Sequence, residues 1–290
     1  MIINKILKQA KNNKTKIIFP EAEDERILKA VAYCAKHKII DPILIGNIKK
    51  IRKTAQKHKI KINNFIIIEP KKDYLKFACE ALKKDCADAM IAGSIYTSTD
   101  VIKNSYKIVG LKKGTKTFSS FFVMDLKQPL IFADCAVIPD PTARQLADIA
   151  MTTAKNTKKL LKIEPKVAML SFSTKGSAKH KEVTKVIQAT KLAKKSKINV
   201  DGELQADAAL VKEIAKRKLK NSKVAGNANV LIFPDLNSGN IAYKLTQYFT
   251  KCNAYGPILQ NFKKPISDLS RGCKVEDIIG SIIITSIMSK

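Results

Sequence analysis

Short β-rich apolar runs alternate with longer amphipathic stretches along almost the whole chain, and this alternation limits what it can fold into more than any other feature. A strand followed by a helix, repeated, predicts layered α/β structure with mostly parallel strands. Lys16-Ile17-Ile18-Phe19 reads as a strand that Pro20 stops. Glu23-Asp24-Glu25 then opens a helix, with acids suited to its N-terminal dipole and Ile27, Leu28 and Val31 at helical spacing. The unit recurs as strand 42–45 with a helix from 48, strand 65–68 with helix 73–84, and strand 89–92 with a helical stretch over 94–109. Runs 117–124 and 130–133 read as antiparallel neighbours. Helix 141–161, strand 167–171, helix 178–196, a short strand ending at 200 and helix 205–217 follow. Strand 230–233, helix 241–251, strand 255–259 and a closing helix over 274–287 complete the series. The glycine- and lysine-rich break at 110–114 is the best domain boundary, dividing a first α/β domain, 1–113, from a second, 114–264.

At 290 residues the chain can bury a sizeable core without disulfide or metal staples. Its six cysteines include no C-x-x-C pair, and its three histidines lie far apart, so no metal site is expected. The start lacks an uninterrupted apolar segment of the secretory kind, and no 18-residue apolar run occurs. A cytoplasmic chain with reduced thiols, and no membrane partner, is therefore expected. The net charge of +29 points at first to a polyanionic partner. Only five of the 54 basic residues are arginine (Arg26, Arg52, Arg144, Arg217 and Arg271), and the lysines are scattered rather than blocked. Base-edge and phosphate recognition favours the planar guanidinium, so most of this charge reads as solvated decoration.

In open α/β sheets ligands bind beyond the carboxyl ends of strands, where helix N-termini point their amides. Four junctions carry chemistry there. Ser173, Thr174, Lys175, Gly176 and Ser177 follow strand 167–171 and suit a phosphate, although a polar turn capped by Ser177 explains them equally. Thr97, Ser98 and Thr99 follow Gly93, with Lys103 one turn on, and helix capping is their plainer reading. Gly239 and Asn240 form a third junction, in which Asn240 donates to an acyl carbonyl or phosphate oxygen, or simply caps a helix. The last, Asp268-Leu269-Ser270-Arg271-Gly272-Cys273-Lys274-Val275-Glu276-Asp277, offers a hydroxyl, a guanidinium and a carboxylate at a helix start. Arginine in so lysine-rich a chain suggests a bidentate oxyanion contact, while first-turn acids such as Asp277 are commonplace dipole partners. Cys273 has no histidine nearby in sequence, which argues against a nucleophilic thiol.

Taken together, in order, five segments resemble the phosphate acetyltransferase (phosphotransacetylase) family over nearly the whole chain. They are Phe19-Pro20-Glu21-Ala22-Glu23-Asp24-Glu25-Arg26, the stretch 167–178, Asp201-Gly202-Glu203-Leu204-Gln205-Ala206-Asp207, the stretch 228–241 and Asp268-Leu269-Ser270-Arg271-Gly272-Cys273. The resemblance implies two α/β domains of isocitrate/isopropylmalate dehydrogenase-like architecture with the active site in the cleft between them. It implies also that segment 265–290 returns to the first domain, and that the protein is a homodimer. Longer family members carry an N-terminal regulatory extension for which this chain is too short. The implied reaction interconverts acetyl-CoA plus phosphate with acetyl phosphate plus CoA, in a ternary complex and without an acyl-enzyme. No cofactor is tightly bound, and CoA and acetyl-CoA are substrates. By motif, Asp277 takes the thiol proton, Ser270 hydrogen-bonds the thiol or the developing oxyanion, and Arg271 clamps acetyl phosphate. A helix N-terminus and Arg271 should hold Asp277 a weak base, which desolvation would offset. Thr97, Ser98, Thr99, Lys103, Ser173 to Ser177, Gly239, Asn240 and Cys273 are the implied substrate contacts. Lys103 stands where the family carries an arginine, and Arg144 where a glutamate is usual. A broader propionyl or butyryl specificity is the near alternative. A nucleic-acid or anionic-surface binder, with +29 as its function, is the distant one.

Overall fold

The structure is a computed structural model and describes residues 2–11, 14–219 and 221–290. The chain divides into two compact units, Met1–Lys116 with Tyr255–Lys290, and Thr117–Ala254. The divisions fall a few residues from 113/114 and ten before 265, because the strand that opens the returning segment pairs within the first unit.

Helix α1 (Ile2–Ala10), which the sequence pattern did not announce, buries Ile2, Ile3, Ile6 and Ala10. Strand β1 (Thr15–Phe19), helix α2 (Glu25–Lys36), strand β2 (Ile40–Ile45), helix α3 (Ile48–Lys57), strand β3 (Ile66–Ile68), helix α4 (Tyr74–Lys83) and strand β4 (Ala89–Ala92) follow as expected. Each of these later helices is started by a side chain that accepts from its first turn: Asp24, Asn47 and Asp73. The stretch after β4 departs from expectation. Residues 94–96 form a turn, because the Glu21 carboxylate accepts from Ser94, Ile95 and Tyr96 N–H groups at 2.9, 2.7 and 2.6 Å. Helix α5 (Ser98–Asn104) begins only at its Thr97 cap and runs into a π-helical turn, Ser105–Val109.

The second unit opens with the antiparallel pair β5 (Ser119–Met124) and β6 (Leu130–Ala133). Helix α6 (Ala143–Leu161) starts at a capping box of Thr142 and Gln145. Strand β7 (Lys166–Leu170) leads to helix α7 (Lys181–Lys194), which starts three residues later than expected and is capped by His180 rather than Ser177. Strand β8 (Asn199–Leu204) continues past Val200 through a register shift against Met169 and Leu170. The expected helix 205–217 is two, α8 (Ala206–Leu210) and α9 (Lys212–Lys218), broken where Val211 is extended. After β9 (Val230–Ile232), helix α10 (Leu236–Thr250) begins five residues early, because Asp235 accepts from Ser238 N–H at 2.8 Å. The strand order is β5-β6-β9-β7-β8, with β6, β9, β7 and β8 parallel. One core spans this unit from Phe122 and Phe132 to Leu231, Phe233 and Tyr243, with the Phe122 and Tyr243 rings stacked at 4.2 Å.

The chain then returns to the first unit as β10 (Ala254–Gln260), β11 (Ile266–Asp268) and the isoleucine-rich helix α11 (Val275–Met288). Three-residue β11, which the pattern missed, lies antiparallel to β10 and parallel to β4, completing the order β3-β2-β1-β4-β11-β10. Both units are thus α/β with mostly parallel strands.

Candidate active site

In the first unit β1, β4 and β11 are parallel neighbours, so residues after Phe19, Ala92 and Asp268 emerge at one edge. Asp268 pairs with Ala92, and the next amide, Leu269 N–H, donates to Ala92 O at 2.6 Å. Gly93 permits this approach: its φ is +102°, and a Cβ there would collide with Asp268 Oδ1 and the Leu269 backbone. Glu21 closes the neighbouring turn with both carboxylate oxygens, also accepting from the Ser94 hydroxyl at 3.1 Å.

Arg26 ties three loops together. Its Nε and Nη2 grip Asp24 at 2.6 to 3.2 Å, and Nη2 also donates to Ser94 O at 3.1 Å. Its Nη1 donates to the carbonyls of Arg271 at 2.8 Å and Cys273 at 3.1 Å. The Ser270–Cys273 turn is therefore fixed from outside by a fork that no lysine could supply. Ser270, half-buried, closes the turn by accepting from Cys273 N–H through its carbonyl at 2.9 Å. Arg271 is exposed, and its guanidinium has no partner in the chain among the described residues. Asp277 is buried in the first turn of α11, where its Oδ2 accepts from Lys274 N–H at 3.0 Å. It thus caps the start of α11, six residues on from Arg271. Burial pushes the Cys273 thiol up to about 12, against the pull of Arg26, so it is no thiolate at neutral pH.

Thr97 spends its hydroxyl on the α5 cap, accepting from Asp100 N–H at 3.2 Å and donating to Asp100 Oδ2 at 2.7 Å. Ser98 and Thr99 are exposed on the first turn. Lys103, also exposed, borders a cavity of about 650 Å³ with Lys76, Tyr96 and Lys107.

The second unit has its own carboxyl edge, beyond β6, β9 and β7. The hydroxyl-rich loop after β7 is already built around a side chain of the chain itself, Glu203. The carboxylate accepts from Ser173 Oγ at 3.0 Å and from Gly176 N–H at 2.6 Å. Ser177 Oγ accepts from Thr174 N–H at 3.0 Å, and Thr174 Oγ1 accepts from Gln205 N–H at 2.9 Å. Lys175 donates to Asp201 at 2.5 Å and Gly202 O at 2.8 Å; with Ser222 it holds Asp201 below the usual carboxylate range, although burial opposes this. Ser173, Lys175 and Gly176, three of the residues read as a phosphate cradle, thus face the chain's own carboxylates. Ser177 caps no helix. Asn240 is likewise no cap: it lies inside α10, donating from Nδ2 to Cys135 O at 3.0 Å. Gly239 lets the helix approach, since a Cβ would meet Asp134 O. Asp134 itself is held by Ser120, Ala136 and Ile138, while burial raises its pKa. Arg144 sits exposed on α6, 3.5 Å from Asp148 one turn on, and the structure assigns it no further role.

Glu21, Arg26, Asp268 and Glu203 were not among the residues singled out, although all four stand in the quoted motifs. The one available signal was that Arg26 is an arginine among lysines. Among the described residues no three His, Cys, Asp or Glu side chains are grouped to hold a metal ion, and no helix is long and apolar enough to cross a membrane.

The phosphate acetyl/butaryl transferase family model matches residues 1–76 and 69–286. A phosphate acetyltransferase of Thermoanaerobacterium thermosaccharolyticum is 42% identical over 326 aligned residues, which cover 100% of this chain and 99% of that protein. One from Clostridium acetobutylicum is 41% identical, covering 100% and 98%. The crystal structure of a phosphotransacetylase from Streptococcus pyogenes superposes with a TM-score of 0.92 at 36% identity, over 99% of this chain and 98% of that one. With a family model matched from end to end, relatives near two-fifths identical and the same fold, the chain belongs to the phosphate acetyl/butaryl transferase family.

Proposed function

We propose that the chain interconverts acetyl-CoA plus phosphate with acetyl phosphate plus CoA. The observation that carries this reading is the Ser270–Asp277 segment. An unpartnered guanidinium, a hydroxyl and a buried carboxylate follow one strand end, on a turn that Arg26 fastens from behind.

In the direction of acetyl-CoA synthesis, Asp277 accepts the proton of the CoA thiol, whose free pKa lies near 8.5. The thiolate sulfur attacks the carbonyl carbon of acetyl phosphate, and the C=O electron pair moves to oxygen. Ser270 donates to that oxygen and Arg271 spans phosphate oxygens, stabilising charge that is largest in the transition state. The oxyanion collapses, the C–O bond to phosphate breaks, and phosphate leaves with its electron pair. The reverse reaction returns the Asp277 proton to departing CoA sulfur. No residue is acylated, in keeping with a Cys273 thiol that burial keeps protonated. Lys103, Ser98 and Thr99 are assigned to CoA or substrate phosphates, with Thr97 shaping their turn. In the second unit the Ser173 to Ser177 loop and Asn240 spend donors internally, on Glu203 and on Cys135 O.

No tightly bound cofactor takes part in this reading. A cytoplasmic setting fits six free cysteines. A homodimer fits the bare apolar face of α10. The test is phosphate-dependent CoA release from acetyl-CoA, with Asp277→Asn beside the wild type. The reading predicts release by the wild type and a loss of about 10²- to 10⁴-fold in the variant. Near-equal turnover would remove Asp277 as the base; no release by the wild type would sink the reading.

A further inference from the structure

Asp268 is the anomaly of the first unit. It ends β11, fully buried, and neither carboxylate oxygen has a hydrogen-bond partner. Buried polar groups are nearly always paired, and an orphaned carboxylate calls for an explanation. No surrounding element completes a hydrogen bond to it. Gly93 offers only its Cα side, since the space a Cβ would fill is taken by Oδ1. Ser98, on α5, lies close enough to ease the charge without meeting hydrogen-bond geometry. Glu21, nearby, repels a second negative charge. Of the other ionisable groups on elements packed against β11, strand β4 has none, β10 has Tyr255, α5 has Asp100 and Lys103, and α11 has Glu276 and Asp277. None is bonded to Asp268.

We infer that Asp268 is a positioning residue for acyl transfer that must be uncharged for the Ser270–Arg271 turn to keep its working geometry. This rests on the function proposed above. A neutral acid fits the dry space against Gly93. An ionised one would need donors, and the nearest are the Ser98 hydroxyl and the following amide, Leu269 N–H, which is already given to Ala92 O. Recruiting them displaces the turn that carries Ser270 and Arg271. The new charge would also stand near Glu21, a second negative charge at the same strand edge. Burial supports the same picture, pushing the Asp268 carboxyl up to about 7, with Glu21 adding to the rise. The proton is therefore held more tightly in the native chain than in the unfolded one, and ionisation sets in as pH rises past neutrality.

The test is the ratio of kcat/KM for Asp268→Asn to that of wild type, followed from pH 6 to 8.5 with acetyl-CoA and phosphate. The inference predicts a ratio that rises at least tenfold, because only the wild type ionises at this position. A ratio independent of pH would overturn it. Asp268→Ala has no titrating group either and must give the same rise, which guards against one variant packing badly. A second readout follows from linkage. Between the unfolded value of 3.8 and about 7, the native acid binds more protons than the unfolded one, so wild-type stability falls as pH rises. The Tm of Asp268→Asn minus that of wild type should thus grow between pH 5 and pH 8, and a constant difference would contradict the inference. A wild type without phosphate-dependent CoA release would remove both readings. A wild type active with a flat ratio would remove this one alone.

Discussion

Two arginines at the first unit's carboxyl edge do opposite work. Arg26 is spent entirely on the protein, gripping Asp24 and the carbonyls of Ser94, Arg271 and Cys273. Arg271 contributes its carbonyl to that grip and keeps its guanidinium clear. Charged hydrogen bonds of this kind are worth about 1.5–3 kcal/mol each, and a lysine can satisfy only some of them. Arg26→Lys is therefore expected to lose about 2 kcal/mol in urea unfolding. In the protein that remains folded, it should also lose about tenfold in kcat, as the Ser270–Arg271 turn loosens. Unchanged kcat in folded Arg26→Lys would show that the turn needs no such fastening.

Helix α10 makes the argument at the scale of an element. Ile241, Leu245, Tyr248 and Phe249 recur at helical spacing and are all exposed, Tyr248 and Phe249 at 76% and 82%. The only charged residue in the helix, Lys244, folds over the Tyr243 ring at 5.0 Å. Four such side chains present on the order of 600 Å² of apolar surface, and two copies meeting face to face would bury about 1,200 Å², the lower end for a stable interface. Such a charge-free face is also where copies of so positive a chain repel least. Under the homodimer proposed here, sedimentation is expected to show a dimer for the wild type and a monomer for the Tyr248→Glu, Phe249→Glu double variant, with the circular dichroism unchanged. An unaltered mass would place the interface elsewhere.

Elements of this kind were legible in the sequence where their causes are local. Caps such as Asp24, Asp73 and Thr142, and apolar residues at helical spacing, mark most helices within a few residues. Strand β11 was not legible, because Ile-Ser-Asp is no apolar run and forms a strand only through β4 and β10. The site divides in the same way. Ser270, Arg271 and Asp277 declare themselves by residue type within one segment. Glu21 and Arg26 act on partners 73 and 245 positions away, so nothing beside them in the chain reveals what they hold. The internal contacts of the Ser173 to Ser177 loop were hidden for the same reason: Glu203, which accepts from Ser173 and Gly176, lies 30 residues on from Ser173.

Across the whole molecule the charge of +29 takes on a narrower meaning. Several lysines are paired with acids on their own unit, among them Lys175 with Asp201, Lys185 with Asp140 and Lys218 with Asp207. These pairs take part of the positive charge out of play, and the remaining lysines form a diffuse positive field. Such a field draws in CoA, phosphate and acetyl phosphate alike without choosing among them. Under the function proposed here, choice and rate fall to the groups assigned to the reacting atoms, above all the Arg271 guanidinium. The most direct measurement is therefore the rate of acetyl phosphate formation from acetyl-CoA and phosphate, wild type against Arg271→Ala, at equal concentrations of folded protein. The account predicts formation by the wild type that requires phosphate, and a fall of about 10²- to 10³-fold in the variant. Formation by Arg271→Ala within twofold of the wild type would contradict it.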